Sequence, residues 1–134
     1  MNIEEIVDNF GLFDDWEDRY RYLIDLGGRL PPMDDSLKTE QTKVRGCMSQ
    51  VWMVMGWDQN HRLSLLADSD AQIVKGLIAV LRIIFQGKNA EEIAAIDIDQ
   101  IFGKLGLDQH LSPNRRTGFY ARVERIRLFT GERR

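Results

Sequence analysis

Midway along the chain the spacing of apolar side chains changes period, and that change limits the folds available. Val51, Met53, Met55 and Trp57 alternate with other residues, as do Leu63, Leu65 and Ala67 after the polar run Asp58-Gln59-Asn60. Beyond them Ile73, Val74, Leu77, Ile78, Val80, Leu81, Ile84 and Phe85 recur at the spacing of a helix face. A period of two lines one face of a strand, and a period near 3.6 lines one side of a helix. The pattern predicts an antiparallel hairpin, with strands over about 50–57 and 61–67, followed by a helix that stops at Gly87. Ser69 and Gln72 have the spacing of a capping box at the start of that helix.

The flanks read as helices. Ile3, Ile6, Val7 and Phe10 suit a short amphipathic helix over 3–10, and Trp16, Tyr20, Leu23, Ile24 and Gly27 share a face of a longer one over 14–27, ended by Gly27-Gly28. Residues 29–42, with Pro31-Pro32 and then Asp34, Asp35 and Ser36, lack periodicity and predict a surface crossing. Two short helices are expected over 90–95 and 98–105, separated near Asp97. Ser112-Pro113 opens a last helix that reaches about Thr130 and stops at Gly131. Strands in the middle with helices before and after indicate the α+β class, a small antiparallel β-sheet packed with flanking α-helices. A length of 134 residues suits one domain over 1–134, large enough to bury a core without crosslinks.

Residue counts remove several functions. One cysteine cannot close an intramolecular disulfide, and with only two histidines the chain lacks the repeated ligands of a structural zinc site. Four thiolate ligands for an iron–sulfur cluster are absent as well. A lone free thiol fits a reducing, cytoplasmic compartment. The first residues, Met1-Asn2-Ile3-Glu4-Glu5, lack the basic and apolar regions of a secretory signal, and no apolar run approaches the roughly 20 residues that span a bilayer. No membrane association is expected. Charge reverses along the chain: residues 113–134 hold seven arginines against two acids, a net +5, and residues 1–112 carry −8. Arg122, Arg125 and Arg127 alternate with Ala121, Val123, Ile126 and Phe129 at helical spacing, which predicts a solvated helix face and no nucleic-acid footprint.

Cys47 is the chief candidate for chemistry. The bland reading is a small buried hydrophobe. The reactive reading draws on Gly46, which lets another backbone approach, and on the polar exit Ser49-Gln50. If residues 43–47 are extended, Lys43, Arg45 and Cys47 point to one side, where two cations favour the nucleophilic thiolate. The same cations would equally serve to solvate a sheet edge. His61, expected to begin the second strand, and His110 have no catalytic block around them, so a Cys–His hydrolase is set aside.

The block Val44-Arg45-Gly46-Cys47-Met48-Ser49-Gln50-Val51-Trp52 resembles the cysteine motif of the SufE family of sulfur acceptors. Tyr20-Arg21-Tyr22-Leu23-Ile24-Asp25-Leu26-Gly27-Gly28-Arg29-Leu30-Pro31 is similar to that family's early helix and proline turn. Asp68-Ser69-Asp70-Ala71-Gln72-Ile73-Val74-Lys75-Gly76-Leu77-Ile78-Ala79-Val80 and His110-Leu111-Ser112-Pro113-Asn114-Arg115 resemble its two later helix starts. Met48 stands where the family commonly has glutamine. The resemblance implies a SufE/IscU-like fold and a covalent carrier rather than a stand-alone enzyme. Cys47 would take persulfide sulfur from a SufS-like cysteine desulfurase, stimulate that enzyme, and deliver sulfur to an iron–sulfur scaffold. It implies no cofactor on this chain, pyridoxal phosphate being the partner's. It further implies partner-binding or loop-supporting roles for Arg45, Gly46, Ser49, Gln50, Asp70 and Arg115. Beside its family role, Asp70 has a local reading as a first-turn helix acid, and Arg115 as one of many terminal arginines. The alternative function is a non-covalent adaptor that regulates a desulfurase or scaffold. Self-association into a homodimer stays open.

Overall fold

A computed structural model describes residues 1–45 and 49–131, and in it the change of period becomes a hairpin feeding a helix. Strand β1 (Val51–Trp57) pairs antiparallel with β2 (Leu63–Ser69), setting Val51 opposite Ser69, Met53 opposite Ala67 and Met55 opposite Leu65. Val51, Met53, Leu63, Leu65 and Ala67 are buried together, and a one-residue slip would turn them to solvent. Asp58 organises the turn, its Oδ1 accepting the backbone N–H of Asn60 at 2.8 Å and of Arg62 at 3.0 Å. His61 lies inside that turn at φ 57°, so β2 begins at Leu63 and not at the histidine.

The helix after the hairpin, α3 (Gln72–Phe85), is buried along most of its length and packs against β2 on one side. Its other side meets α2 (Trp16–Gly28), which follows α1 (Ile3–Gly11). Gly28 does end α2, but Gly27 serves packing. A Cβ on Gly27 would lie 2.6 Å from the Gly76 nitrogen, and one on Gly76 would lie 2.3 Å from the Leu23 carbonyl oxygen. The two helices touch backbone to backbone there.

The expected Ser69–Gln72 capping box does not form. Ser69 is the last residue of β2, Ala71 holds the cap position without a side-chain bond, and the Ser69 hydroxyl donates instead to the Gln50 carbonyl at 2.7 Å. Pairing with Val51 keeps Ser69 in the ladder, three residues before helical backbone begins at Gln72.

The remaining helices are α4 (Ala90–Ala94), α5 (Ile98–Lys104), α6 (Leu107–His110) and α7 (Pro113–Thr130). Asn89 and Glu92 form a reciprocal capping box on α4, and Asp97 and Ser112 cap α5 and α7 through the amides of Gln100 and Arg115. The four-residue α6 was not expected, being too short to show a period. His110 at its end stacks on Trp16 with ring centroids 4.0 Å apart, and its carbonyl accepts the Tyr20 hydroxyl.

The arginines of α7 contradict the expectation of a solvated face. Arg122 is only 1% exposed. Arg125 donates to the carbonyls of Gln41 and Lys43 at 2.6 and 2.9 Å, and Arg127 donates to the Ile96 carbonyl at 3.2 Å. The Arg125 and Arg127 guanidinium groups serve as inward fasteners because neighbouring loops offer carbonyls that no helix or strand has used. No described helix is long and apolar enough to cross a membrane.

Candidate functional site

The segment that carries the cysteine is anchored at both described ends. On its N-terminal side Lys43 forms an antiparallel bridge to Trp52. The Val44 amide donates to the Val51 carbonyl at 2.8 Å, and the Met53 amide donates to the Thr42 carbonyl at the same distance. Val44 is buried, and Arg125 of α7 grips the same stretch through the carbonyls of Gln41 and Lys43. On the C-terminal side both backbone groups of Gln50 are engaged. Its N–H donates to Asp70 Oδ1 at 3.1 Å, and its carbonyl accepts from the Ser69 hydroxyl at 2.7 Å and from the Asp70 amide at 3.3 Å.

Asp70 therefore stands outside the first turn of α3, which begins at Gln72. Its carboxylate pins the backbone where the cysteine segment enters β1. Gly46 and Cys47 lie outside the described residues, as does Met48. Arg45 is exposed, its guanidinium 3.6 Å from a Glu40 carboxylate oxygen, so this cation already faces an anion of its own.

Ser49 lines a cavity of about 280 Å³ together with Val74, Ser112, Asn114, Arg115, Gly118 and Arg122. The walls come from α3, from the start of α7 and from its second and third turns. Arg115 and Ser49 thus meet at one cavity, whereas Arg45 and Asp70 do not line it. Among the described residues the lining includes two arginines, two hydroxyls and an amide, and no carboxylate. Such a wall favours an anion over a cation. The sequence reading missed Arg122 as a site residue. Its phase held a signal, because Phe119, Arg122, Val123 and Ile126 fall on one helical stripe and all four are buried.

A second polar group gathers around the Asp68 carboxylate of β2. Lys38 Nζ is 3.1 Å from Asp68 Oδ2 and 3.2 Å from Asp35 Oδ1, Lys75 Nζ is 3.5 Å from Asp68 Oδ1, and the Lys38 ammonium lies 5.4 Å from the Trp52 ring centroid. Burial pushes the Asp68 carboxyl up, but the Ser69 amide together with Lys38 and Lys75 more than offsets it and holds Asp68 below the usual carboxylate range. Hydrogen bonds to Asp68 and Asp35 raise Lys38. No cluster of three or more His, Cys, Asp or Glu side chains among the described residues is placed to hold a metal ion.

Comparison with known proteins bears on the whole chain. Residues 4–130 match the sequence model of the family described as SufE, the Fe-S metabolism associated domain. An uncharacterized SufE-like protein of Rhizobium meliloti is 46% identical over 129 residues, spanning 94% of this chain and 92% of its own length. Another from Rhizobium etli is also 46% identical over 129 residues, spanning 94% of this chain and 87% of its own. The solution structure of a hypothetical protein from Thermus thermophilus superposes with a TM-score of 0.77 at 18% identity, covering 97% of this chain and 93% of that one, a likeness of fold.

Proposed function

Because this chain belongs to the SufE family, whose domain is associated with Fe-S metabolism, we propose that it is a sulfur carrier that accepts persulfide sulfur on Cys47. The observation that carries this reading is the chain's single cysteine, set in the family's cysteine block between two described flanks that are both hydrogen-bonded to the hairpin. Flanks anchored in this way limit the entropy lost when a partner docks against them.

The partner is a pyridoxal-phosphate cysteine desulfurase of the SufS type, which holds sulfur as a persulfide on its own cysteine. The Cys47 thiolate attacks the outer sulfur of that persulfide. A bond forms between Cys47 Sγ and the outer sulfur, the bond between the two partner sulfurs breaks, and its electron pair leaves on the partner's thiolate. The outer sulfur moves without net oxidation, so no external oxidant is consumed. With no second cysteine on the chain, the loaded sulfur cannot be discharged through an internal disulfide and passes to an iron–sulfur scaffold. Relieving the desulfurase of its sulfur accounts for stimulation of that enzyme. A free carrier thiol belongs in a reducing compartment such as the cytoplasm.

The test is intact-mass analysis after incubation with a matched desulfurase and cysteine. Wild type should gain about 32 Da, one sulfur atom on a thiol, and Cys47→Ser should gain none and lose the stimulation. Full stimulation by Cys47→Ser, with wild type unmodified, would make the chain a non-covalent adaptor instead.

A further inference from the structure

We propose that the cavity between the end of α2 and the end of α3 is a binding site for a small organic acid, a carboxylate carried on a short apolar chain. The cavity has a volume of about 310 Å³, at the lower end of the range for small-molecule sites. Leu26 and Leu30, from α2 and the turn after it, give it apolar walls together with Ala79 and Ile83 of α3. Its polar side chains are Arg29, Arg82 and Gln86, and among the described residues no acid lines it. It shares no wall residue with the Ser49 cavity, so the proposal stands apart from the sulfur-carrier reading.

Hydrogen bonds to β2 decide which ends of these side chains are left for a ligand. Arg82 interrupts an otherwise apolar run from Leu77 to Phe85. Its Nε donates to the Leu65 carbonyl at 3.0 Å, which uses one of five N–H donors. Gln86 Oε1 accepts the Leu65 amide at 2.7 Å, and because a backbone N–H needs an acceptor there, the nitrogen end of the Gln86 amide is the one left over. Among the described residues no acceptor engages that nitrogen, the terminal nitrogens of Arg82 or the Arg29 guanidinium. The side-chain groups that remain are all donors and two carry full charge, so their complement is a negatively charged acceptor. Helix ends account for part of that charge, since Arg29 caps α2 and Arg82 lies in the last turn of α3. A helix C-terminus carries about half a negative charge, so two guanidinium groups leave about one positive charge uncompensated between them. A planar carboxylate accepts paired N–H bonds from a guanidinium, and the apolar walls take the chain behind it. Free phosphate would leave those walls unused.

The probe is hexanoate, titrated into the isotope-labelled full chain near neutral pH and followed by amide NMR. The backbone amides of Leu30 and Ile83 and the side-chain amide of Gln86 should shift together and saturate, with a Kd of about 1 mM or tighter. Hexanamide has the same shape without the charge, and inorganic phosphate is an anion without the chain. Each should bind at least about ten-fold more weakly. Arg29→Met should weaken hexanoate about ten-fold. Gln86→Glu keeps an oxygen for the Leu65 amide but sets a negative charge in the cavity, and should weaken hexanoate by more than that. Neither variant removes a bond to β2, and thermal unfolding checks that each is folded. Absence of saturable shifts overturns the proposal, as does wild-type affinity in the folded variants. Equal binding of hexanamide would reduce the cavity to an apolar pocket, and equal binding of phosphate to a general anion site; either result rejects the organic acid.

Discussion

Gly76 and Gly28 are both helical glycines, and their surroundings set opposite expectations for alanine. A methyl on Gly76 would meet the Leu23 carbonyl oxygen at 2.3 Å, where only backbone can yield. Gly76→Ala should cost about 2–3 kcal/mol, as overpacking between rigid elements does. Gly28 has open space around its Cβ position, so Gly28→Ala should be neutral or stabilise by up to about 1 kcal/mol through helix propensity. Urea unfolding of the two variants checks both signs. If Gly76→Ala proved as stable as wild type, α2 and α3 would not touch as described. At this scale the sequence was legible only in part. Gly27-Gly28 marks the end of α2, yet the Gly27–Gly76 contact joins two glycines far apart in the chain, and no local pattern carries it. Ser69 misled for a related reason: its spacing to Gln72 fits a capping box, while strand pairing with Val51 claims the residue.

Among the elements, α7 departs most from its sequence reading. Its ends are set locally, by Ser112 and Pro113 at one and Gly131 at the other, and both were legible. Its arginine row was not, because the direction in which a long cationic side chain turns depends on acceptors from other elements. Arg125 illustrates the consequence, fastening the carbonyls of Gln41 and Lys43 beside the cysteine segment. A charge-assisted bond of this kind contributes about 1.5–3 kcal/mol. Arg125→Met should therefore raise hydrogen exchange at the amides of Val44 and Met53, which bond across this junction, by about ten-fold or more. The central β1–β2 amides should change little. Equal loss of protection throughout would mean that Arg125 supports the whole fold and not this junction.

For the whole molecule, two titrating groups set the pH limits of stability in opposite directions. The folded pKa of Asp68 is depressed, so its contribution is complete above the ordinary carboxylate value of about 3.9 and is lost as pH falls through the folded value. Asp68→Asn should flatten the acid limb of the stability curve measured by urea unfolding between pH 5 and 2. Tyr120, of α7, donates its hydroxyl to Asp99 Oδ1 of α5 at 2.6 Å, and burial together with that carboxylate pushes its pKa to about 12. Its contribution is complete below the ordinary tyrosine value of about 10 and is lost as pH rises from there through 12. Tyr120→Phe should accordingly reduce the drop in stability across that alkaline interval. Local pattern was enough for the α+β class, the order of the elements apart from the short α6, most of their ends, the cysteine block and its family resemblance. Those features are written in side-chain period, in caps and in short motifs, each read within a few neighbouring residues. Which polar side chains face inward came only with the assembled fold. It assigned Asp70 to the Gln50 backbone, Arg125 to the approach to the cysteine segment, and Arg122 to a cavity shared with Ser49. Burial of a charge depends on what distant parts of the chain place around it, and chain-neighbour patterns do not contain that information.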